Sequence, residues 1–267
     1  MTFNAIAGFR LVTAALEDLA EFYRAIGFAI GELSPIASAE LAVLGLEGGG
    51  FRRTMRLGES RVDLDLFDRP GDPYPADATA CDLIFQHLAL VTDDADAAWR
   101  RACDAGARPI SRGGPVTLPR SAGGATTVKL RDPEGHPLEF LQFPPGINPK
   151  WPGTGIMGVD HTALCVANVS ASQRFYQVQG LREGGRSLNH GPTQAALDGL
   201  KGVEVDVVPL NPPLTPPHLE LLGYRRPMGK TSKAPMANDI AATRIVWRAD
   251  RYALLRDPDG HLHQLTR

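Results

Sequence analysis

Residues 128–143 read VKLRDPEGHPLEFLQF, and residues 253–265 read ALLRDPDGHLHQL. Each is an apolar stretch, an Asp-Pro-acid-Gly-His turn, and a second apolar stretch. Proline fixes φ in such a turn and glycine takes the positive φ that closes it, so both segments predict β-hairpins. A hairpin that recurs with the same turn chemistry points to an internal repeat, which governs every later assignment.

Working outward, a second pair of matches appears. Residues 8–28 read GFRLVTAALEDLAEFYRAIGF and residues 160–181 read DHTALCVANVSASQRFYQVQGL. Both give a short apolar strand, a polar cap and a helix ending in Phe-Tyr. Thr13 and Ser170 are the expected N-caps, and Gly27 and Gly180 the left-handed residues that stop the helices. A third opening, residues 86–105, has the strand His87–Val91 and caps at Asp93 or Asp94. Ala95, Ala98, Trp99 and Ala102 follow at helical spacing.

The chain therefore holds four units, at residues 5–70, 85–144, 157–223 and 238–267. Units one and two form an N-terminal module (1–146) and units three and four a C-terminal module (157–267), joined by a linker at 147–156. The surrounding stretch 144–158 carries four prolines and four glycines, the composition of a connection. The fourth unit has room for a first strand and a last hairpin, but not for a crossover helix. It is expected to lack that helix and to pack on the first unit.

This four-unit pattern resembles the vicinal oxygen chelate superfamily of βαβββ proteins, which holds glyoxalase I, extradiol ring-cleaving dioxygenases and bleomycin or fosfomycin resistance proteins. The DPEGHPLEF and DPDGHLHQL turns carry most of the likeness. The resemblance implies an α+β fold with tandem βαβββ units curling into cup-shaped mixed sheets flanked by helices. It also implies metal ligands on the first strand of a unit, usually His, and on its last strand, usually Glu. Carried over unit by unit, these are Ala7 and Asp65; His87 and Glu139; His161 and Glu220; and Thr243 (or Ala242) with Gln264. Only units two and three keep both.

Strand alternation supports the same residues. His87 shares its face with Ala89 and Val91, and His161 with Ala163 and Cys165, while the leucines between them point away to pack the helices. In glyoxalase-type chains the second unit pairs with the third, which would bring His87, Glu139, His161 and Glu220 together as ligands for octahedral Zn, Ni, Co, Mn or Fe. The extradiol pairing would instead need a His and a Glu where Thr243 and Gln264 stand.

Other residues are assigned around this set. His218 falls on the face of Glu220, where it could orient substrate or carry a proton. Asn189, His190 and Gln194 could reach into the cup, or belong to an ordinary surface hairpin. His136 and His261 read as turn or surface residues, Gly48–Gly50 as a turn between strands, and Arg52, Arg53 and Arg56 as a solvated edge in preference to an anion contact. A carboxylate at Glu139 or Glu220, flanked by leucines and phenylalanine, would cost several kcal/mol if buried without a partner.

The leading function is a metal-dependent glyoxalase-like isomerase or lyase. It would act on a small oxygenated metabolite through an enediolate-type intermediate, with Glu139 or Glu220 as the base. A metal-free small-molecule binding or sequestration protein, and a non-heme iron ring-cleaving dioxygenase, use the same scaffold. Of the 267 residues 43% are apolar and 22% charged, and the net charge is −2. That balance recruits neither nucleic acid nor an anionic membrane. Three cysteines without metal-type spacing, and an opening Met1-Thr2-Phe3-Asn4 with no basic region, fit a cytoplasmic monomer or homodimer.

Overall fold

The structure, a computed structural model, describes residues 3–147, 150–231 and 233–266. Asn148 and Pro149 of the predicted linker, and the opening Met1 and Thr2, lie outside the described residues. Unit one contains β1 (Ala5–Val12), α1 (Leu16–Ala25), β2 (Ala29–Pro35), α2 (Ser38–Leu44), β3 (Gly50–Leu57) and β4 (Ser60–Phe67). Unit two contains β5 (Gln86–Thr92), α3 (Ala95–Asp104), β6 (Arg108–Pro109), β7 (Val116–Thr117), β8 (Thr126–Arg131) and β9 (Pro137–Gln142). Unit three runs through β10 (Ile156–Cys165), α4 (Val169–Val178), β11 (Arg182–Glu183), β12 (Ser187–His190), α5 (Gly191–Leu197), β13 (Glu204–Asn211) and β14 (His218–Arg226). The last unit has only β15 (Arg244–Arg248), β16 (Ala253–Arg256) and β17 (Leu262–Thr266), with no helix between β15 and β16.

The strands form two curled mixed sheets. One runs β16-β17-β15-β1-β4-β3-β2 and joins units four and one; the other runs β11-β13-β14-β10-β5-β9-β8-β6 and joins units three and two. The first sheet therefore draws on both ends of the chain and the second on its middle. The central seams are antiparallel, β1 on β15 and β10 on β5. Leu88, Leu90, Leu164 and Leu221 point from the second sheet into a core shared with Leu19, Phe22 and Tyr23 of α1 and Tyr176 of α4. Among the described residues no helix is long and apolar enough to cross a membrane.

The helix starts differ from the expected caps. Asp94 caps α3 by accepting from the Ala97 N–H at 2.9 Å, but α4 is capped by Asn168 rather than Ser170. The N-cap position of α1 is Ala15, which has no side-chain acceptor of its own. Its first amides are satisfied from the next unit: Glu134 Oε1 accepts from both Ala14 and Ala15 N–H at 2.9 Å. Asp259 repeats the device on α4, accepting from Ala167 N–H at 3.1 Å and the Ser172 hydroxyl at 3.2 Å. The acid of each DPxG turn thus ties a hairpin to the helix of the preceding unit, where the helix dipole favours it. Glu134→Ala is expected to cost about 1 kcal/mol, the usual worth of a cap. Urea unfolding midpoints measure it, and an unchanged midpoint would remove Glu134 from this role.

The reading of His136 and His261 as turn or surface residues is corrected in part, because both sit in turns yet are buried. His136 Nδ1 lies 2.7 Å from Asp132 Oδ2, and its Nε2 lies 3.0 Å from the Val12 carbonyl. A carbonyl only accepts and an ionised carboxylate only accepts, so both ring nitrogens donate and the ring is an imidazolium. Burial alone would lower its pKa, but the Asp132 charge raises it above the usual histidine value. Tyr23 donates to the same Asp132 oxygen at 3.1 Å. In the fourth unit His261 Nε2 donates to the Cys165 carbonyl at 2.9 Å and Tyr176 donates to Asp257 at 2.8 Å. The Phe-Tyr ends of the helices and the DPxGH turns are therefore two halves of one junction, made twice.

Three further readings change. The glycines 48–50 follow α2 rather than another strand, since α2 interrupts the strand path. Arg52 is buried in an ion cluster and is not a solvated edge, whereas Arg56 is exposed. The segment 187–200 is a short strand followed by α5, not a hairpin.

Candidate metal centre

The four central strands of the ten-stranded sheet carry the four expected ligands: His87 on β5, Glu139 on β9, His161 on β10 and Glu220 on β14. Register decides how close they come. Ala163 sits opposite His87 and His161 opposite Ala89, while Ala89 pairs with Glu139 and Ala163 with Glu220. The two alanines between the histidines leave a hollow that a larger side chain would fill. Around it the His87 and His161 rings have centroids 5.7 Å apart.

The His87 imidazole is 1% exposed. Its Nε2 lies 2.8 Å from Glu139 Oε2, yet the two are not aligned for a hydrogen bond, and neither ring nitrogen has a hydrogen-bond partner among the described residues. Leaving a buried polar group unsatisfied costs about 1–3 kcal/mol. His87 Nε2 and Glu139 Oε2 are thus close without bonding each other, which leaves the nitrogen open to a third partner. Ligand atoms of His87, Glu139 and His161 all lie within 4.8 Å of one another. With metal–ligand bonds of about 2.0–2.2 Å, opposite ligands of one ion stand roughly 4 Å apart, so small side-chain adjustments close this set. The residues present fit a divalent cation.

His161 is oriented from behind. Its Nδ1 donates to Asp160 Oδ2 at 3.1 Å, a tautomer assigned from the network, which leaves Nε2 free toward the hollow. Glu220 Oε2 stands 3.6 Å from that Nε2, outside the set of three. His218 Nε2 lies 3.4 Å from Glu220 Oε1, and its Nδ1 3.8 Å from Asp160 Oδ2. Thr127 donates its hydroxyl to Glu139. Lys129, directly across from Glu139 on β8, is buried and donates to Asp198 Oδ1 at 2.7 Å.

Charge balance supports a cation. Three buried carboxylates, Glu139, Asp160 and Asp198, and the half-buried Glu220 stand around Lys129 and the imidazoles of His87, His161 and His218. Burial would lower the pKa of His161, but Glu220, Asp160 and Glu139 raise it to about 9. Burial would also raise Glu139, Asp160 and Glu220, and the neighbouring imidazoles pull all three below the ordinary carboxylate range instead. Burial, the largest influence on His87, holds its pKa below the usual value. The site draws positive charge to itself.

Above these groups opens a cavity of about 380 Å³. Leu118, Leu141 and Phe143 form an apolar wall, and Asn189, Gln194 and His218 a polar one. His190 is exposed and is not part of the lining, because strand alternation turns it away from Asn189. Four contributors escape a reading of the sequence: Thr127, Lys129, Asp160 and Asp198. The strand β10 is bulged between Val159 and His161, which turns Asp160 onto the face of its neighbour. Nothing in the local sequence signals that bulge. Lys129 and Thr127 do stand at alternate positions opposite the Glu139 strand, and that pairing of the hairpin was the available signal.

In the other cup the equivalent positions differ from those expected. The same bulge occurs in β1 between Ile6 and Gly8. Register then matches Gly8 to His161, Asp63 to Glu220, Arg244 to His87 and Gln264 to Glu139. Ala7, Asp65 and Thr243 (or Ala242) are not the equivalents; they stand one or two residues away from the positions that the register matches. Gly8 cannot be replaced by a ligand: at φ +156 an added Cβ would meet the Arg61 carbonyl at 2.7 Å.

A curled, two-sheet βαβββ scaffold with a His/Glu site in one cup defines a class of proteins. Residues 4–140 match the model of the Glyoxalase/Bleomycin resistance protein/Dioxygenase superfamily, and the chain belongs to that family. Among solved structures it is similar to glyoxalase I from Zea mays, with 16% identity, a TM-score of 0.62, and coverage of 98% of this chain and 91% of that one. It is also similar to a protein described as a putative dioxygenase from Bacillus subtilis, with 13% identity, a TM-score of 0.58, and coverage of 99% and 85%. These likenesses show the fold. No curated protein matches the sequence.

Proposed function

We propose that the protein is a metal-dependent isomerase or lyase that moves a proton next to a carbonyl group in a small oxygenated metabolite. The observation that carries this reading is the unpartnered His87 set with Glu220 beside it but outside it. His87, Glu139 and His161 would hold the divalent ion. When bound, such an ion supplies Lewis acidity that polarises a carbonyl and makes the adjacent C–H more acidic.

The protein's own groups divide the remaining work. Glu139 is fixed by the Thr127 hydroxyl and crowded by His87, so it suits a ligand better than a base. Glu220 accepts no tight hydrogen bond and faces the cavity, so it would take the substrate proton. His218, between Glu220 and Asp160, would steady the carboxylate and pass the proton on. Return of the proton to the neighbouring carbon completes an isomerisation; loss of a leaving group completes a lyase reaction. Asn189 and Gln194 would orient substrate oxygens, and Leu118, Leu141 and Phe143 would exclude water.

The test follows solvent deuterium entering the C–H position of a panel of α-hydroxy carbonyl compounds, by NMR, with protein loaded separately with Zn, Ni, Co, Mn or Fe. Glu220→Gln should keep its metal while exchange falls by about 10²–10⁴-fold, the usual worth of a general base. Exposed His190→Ala should change neither. Protein that takes up no ion from the panel, and melts identically with chelator, would make the metal-free binding protein the better reading.

One observation favours a second reading. Two histidines and one glutamate are also the ligand set of non-heme iron oxygenases. Oxygen consumption with Fe(II)-loaded protein and catechols separates this from proton transfer, which uses no oxygen.

A further inference from the structure

The cup formed by units one and four has lost the metal ligands but has not closed. A cavity of about 570 Å³ remains there, within the range of small-molecule sites. It is separate from the candidate metal centre, on the other sheet. Its floor is a buried ion cluster. Asp65 receives Arg52 at 2.6 and 2.8 Å and Arg244 at 2.6 Å. Glu40 receives Arg52 at 2.7 and 3.0 Å, Gln264 Nε2 at 2.8 Å, and Arg10. Asp63 receives Arg61 at 2.8 and 3.0 Å.

In the buried floor the three guanidiniums of Arg10, Arg52 and Arg244 match the three carboxylates of Glu40, Asp63 and Asp65 in number, and the part-exposed Arg61 adds a fourth guanidinium to the cavity lining. Two buried polar atoms of cavity-lining side chains lack hydrogen-bond partners among the described residues, Arg10 Nε, a donor, and Gln264 Oε1, an acceptor. Arg10 is 8% exposed and Gln264 3%. Arg10 Nε stands 3.8 Å from Asp63 Oδ2, beyond a hydrogen bond. Gln264 has spent its amide nitrogen on Glu40, which fixes its oxygen as the free end. Ala39 and Val43 of α2 and Val246 of β15 add an apolar wall, and Tyr252 stands exposed at the mouth.

We propose that this cup is a second small-molecule site, which takes a monocarboxylate bearing a hydroxyl or amide N–H beside the carboxylate, on a compact apolar body. The carboxylate accepts from Arg10 Nε–H and lies beside the part-exposed guanidinium of Arg61. The neighbouring donor gives its hydrogen to Gln264 Oε1. The apolar body lies against Val43 and Val246.

Isothermal titration of the full chain with mandelate as the probe tests this, with chelator present so that no metal at the other cup can bind the carboxylate. Mandelamide, which lacks the charge, should bind at least about tenfold more weakly, and phenylacetate, which lacks the hydroxyl, several-fold more weakly. Gln264→Leu should erase the preference for mandelate over phenylacetate. Because Gln264 sits in the buried network, Val43→Trp provides a second variant: it fills the cavity from a partly exposed helix position and should abolish binding while circular dichroism stays native. His87→Ala should leave binding intact. Absence of saturable binding in wild type, binding that survives Val43→Trp, or binding lost in His87→Ala would each overturn the assignment.

Discussion

His87→Ala should strip the protein of its divalent ion and remove about 4 kcal/mol of stability when free metal stands at a thousand times its dissociation constant. The loss arises because the ion stabilises only the folded state. In the metal-free protein the loss should be smaller than for an ordinary core residue. There His87 is buried with both nitrogens unpartnered, so removing it relieves an unsatisfied polar group and offsets part of the cavity cost. The variant should therefore fall well below wild type in metal-loaded buffer and close much of that gap in chelator. Metal analysis and thermal melting in both buffers make the measurement. Equal metal content in the two proteins, or the same gap with and without chelator, would sink the ligand role. His136→Ala is unsuitable as a silent control, because its imidazolium bridges Asp132 and Val12 and its loss would itself destabilise the fold.

The second large effect concerns His263, on the other sheet. Trp247 Nε1 lies 3.0 Å from His263 Nδ1, and an indole nitrogen only donates, so Nδ1 must be a bare acceptor. The ring proton therefore sits on Nε2, 3.0 Å from the Tyr176 oxygen, and Tyr176 donates onward to Asp257 at 2.8 Å. A proton added at Nδ1 would point at the indole N–H. Burial, with this arrangement, lowers the pKa of His263 to about 4. In the unfolded chain the ring titrates near 6.5. Between these values the unfolded state binds the extra proton and the folded state does not, so stability is full above about pH 6.5 and is lost as pH falls toward 4. The shift corresponds to about 3 kcal/mol. His263→Asn, whose side-chain oxygen can still accept from Trp247, should be less stable than wild type at pH 7, and the difference should shrink by about that amount by pH 4. Urea unfolding of both proteins across this range provides the check, and a difference that stays constant with pH would refute the buried neutral histidine.

The fold was largely legible because its signals are local and made twice. The Phe-Tyr helix ends with their stop glycines, and the two DPxGH turns, each depend on the conformational limits of a few adjacent residues. The absence of a helix in the last unit followed from chain length alone, since too few residues separate Arg248 from Ala253. What local signals missed was supplied from a distance. The N-terminus of α1 is capped by Glu134, more than a hundred residues later, and α2 and α5 are short helices without strong caps of their own.

The candidate site divides in the same way. His87, Glu139, His161 and Glu220 stand out in the sequence because a period of two places each among residues of opposite character, histidines beside alanines and carboxylates between apolar neighbours. Alternation fixes which face a side chain takes, and a strand alone determines that. It does not fix which strand lies alongside. Only the tertiary structure, through the β10–β5 seam, brings two units into one cup, and only the bulge at Asp160 sets a carboxylate behind His161. The same long-range register turned the expected ligand positions of the other cup into Gly8 and Arg244. Pairing energy there is collected across the sheet from both ends of the chain, so no window of sequence contains it.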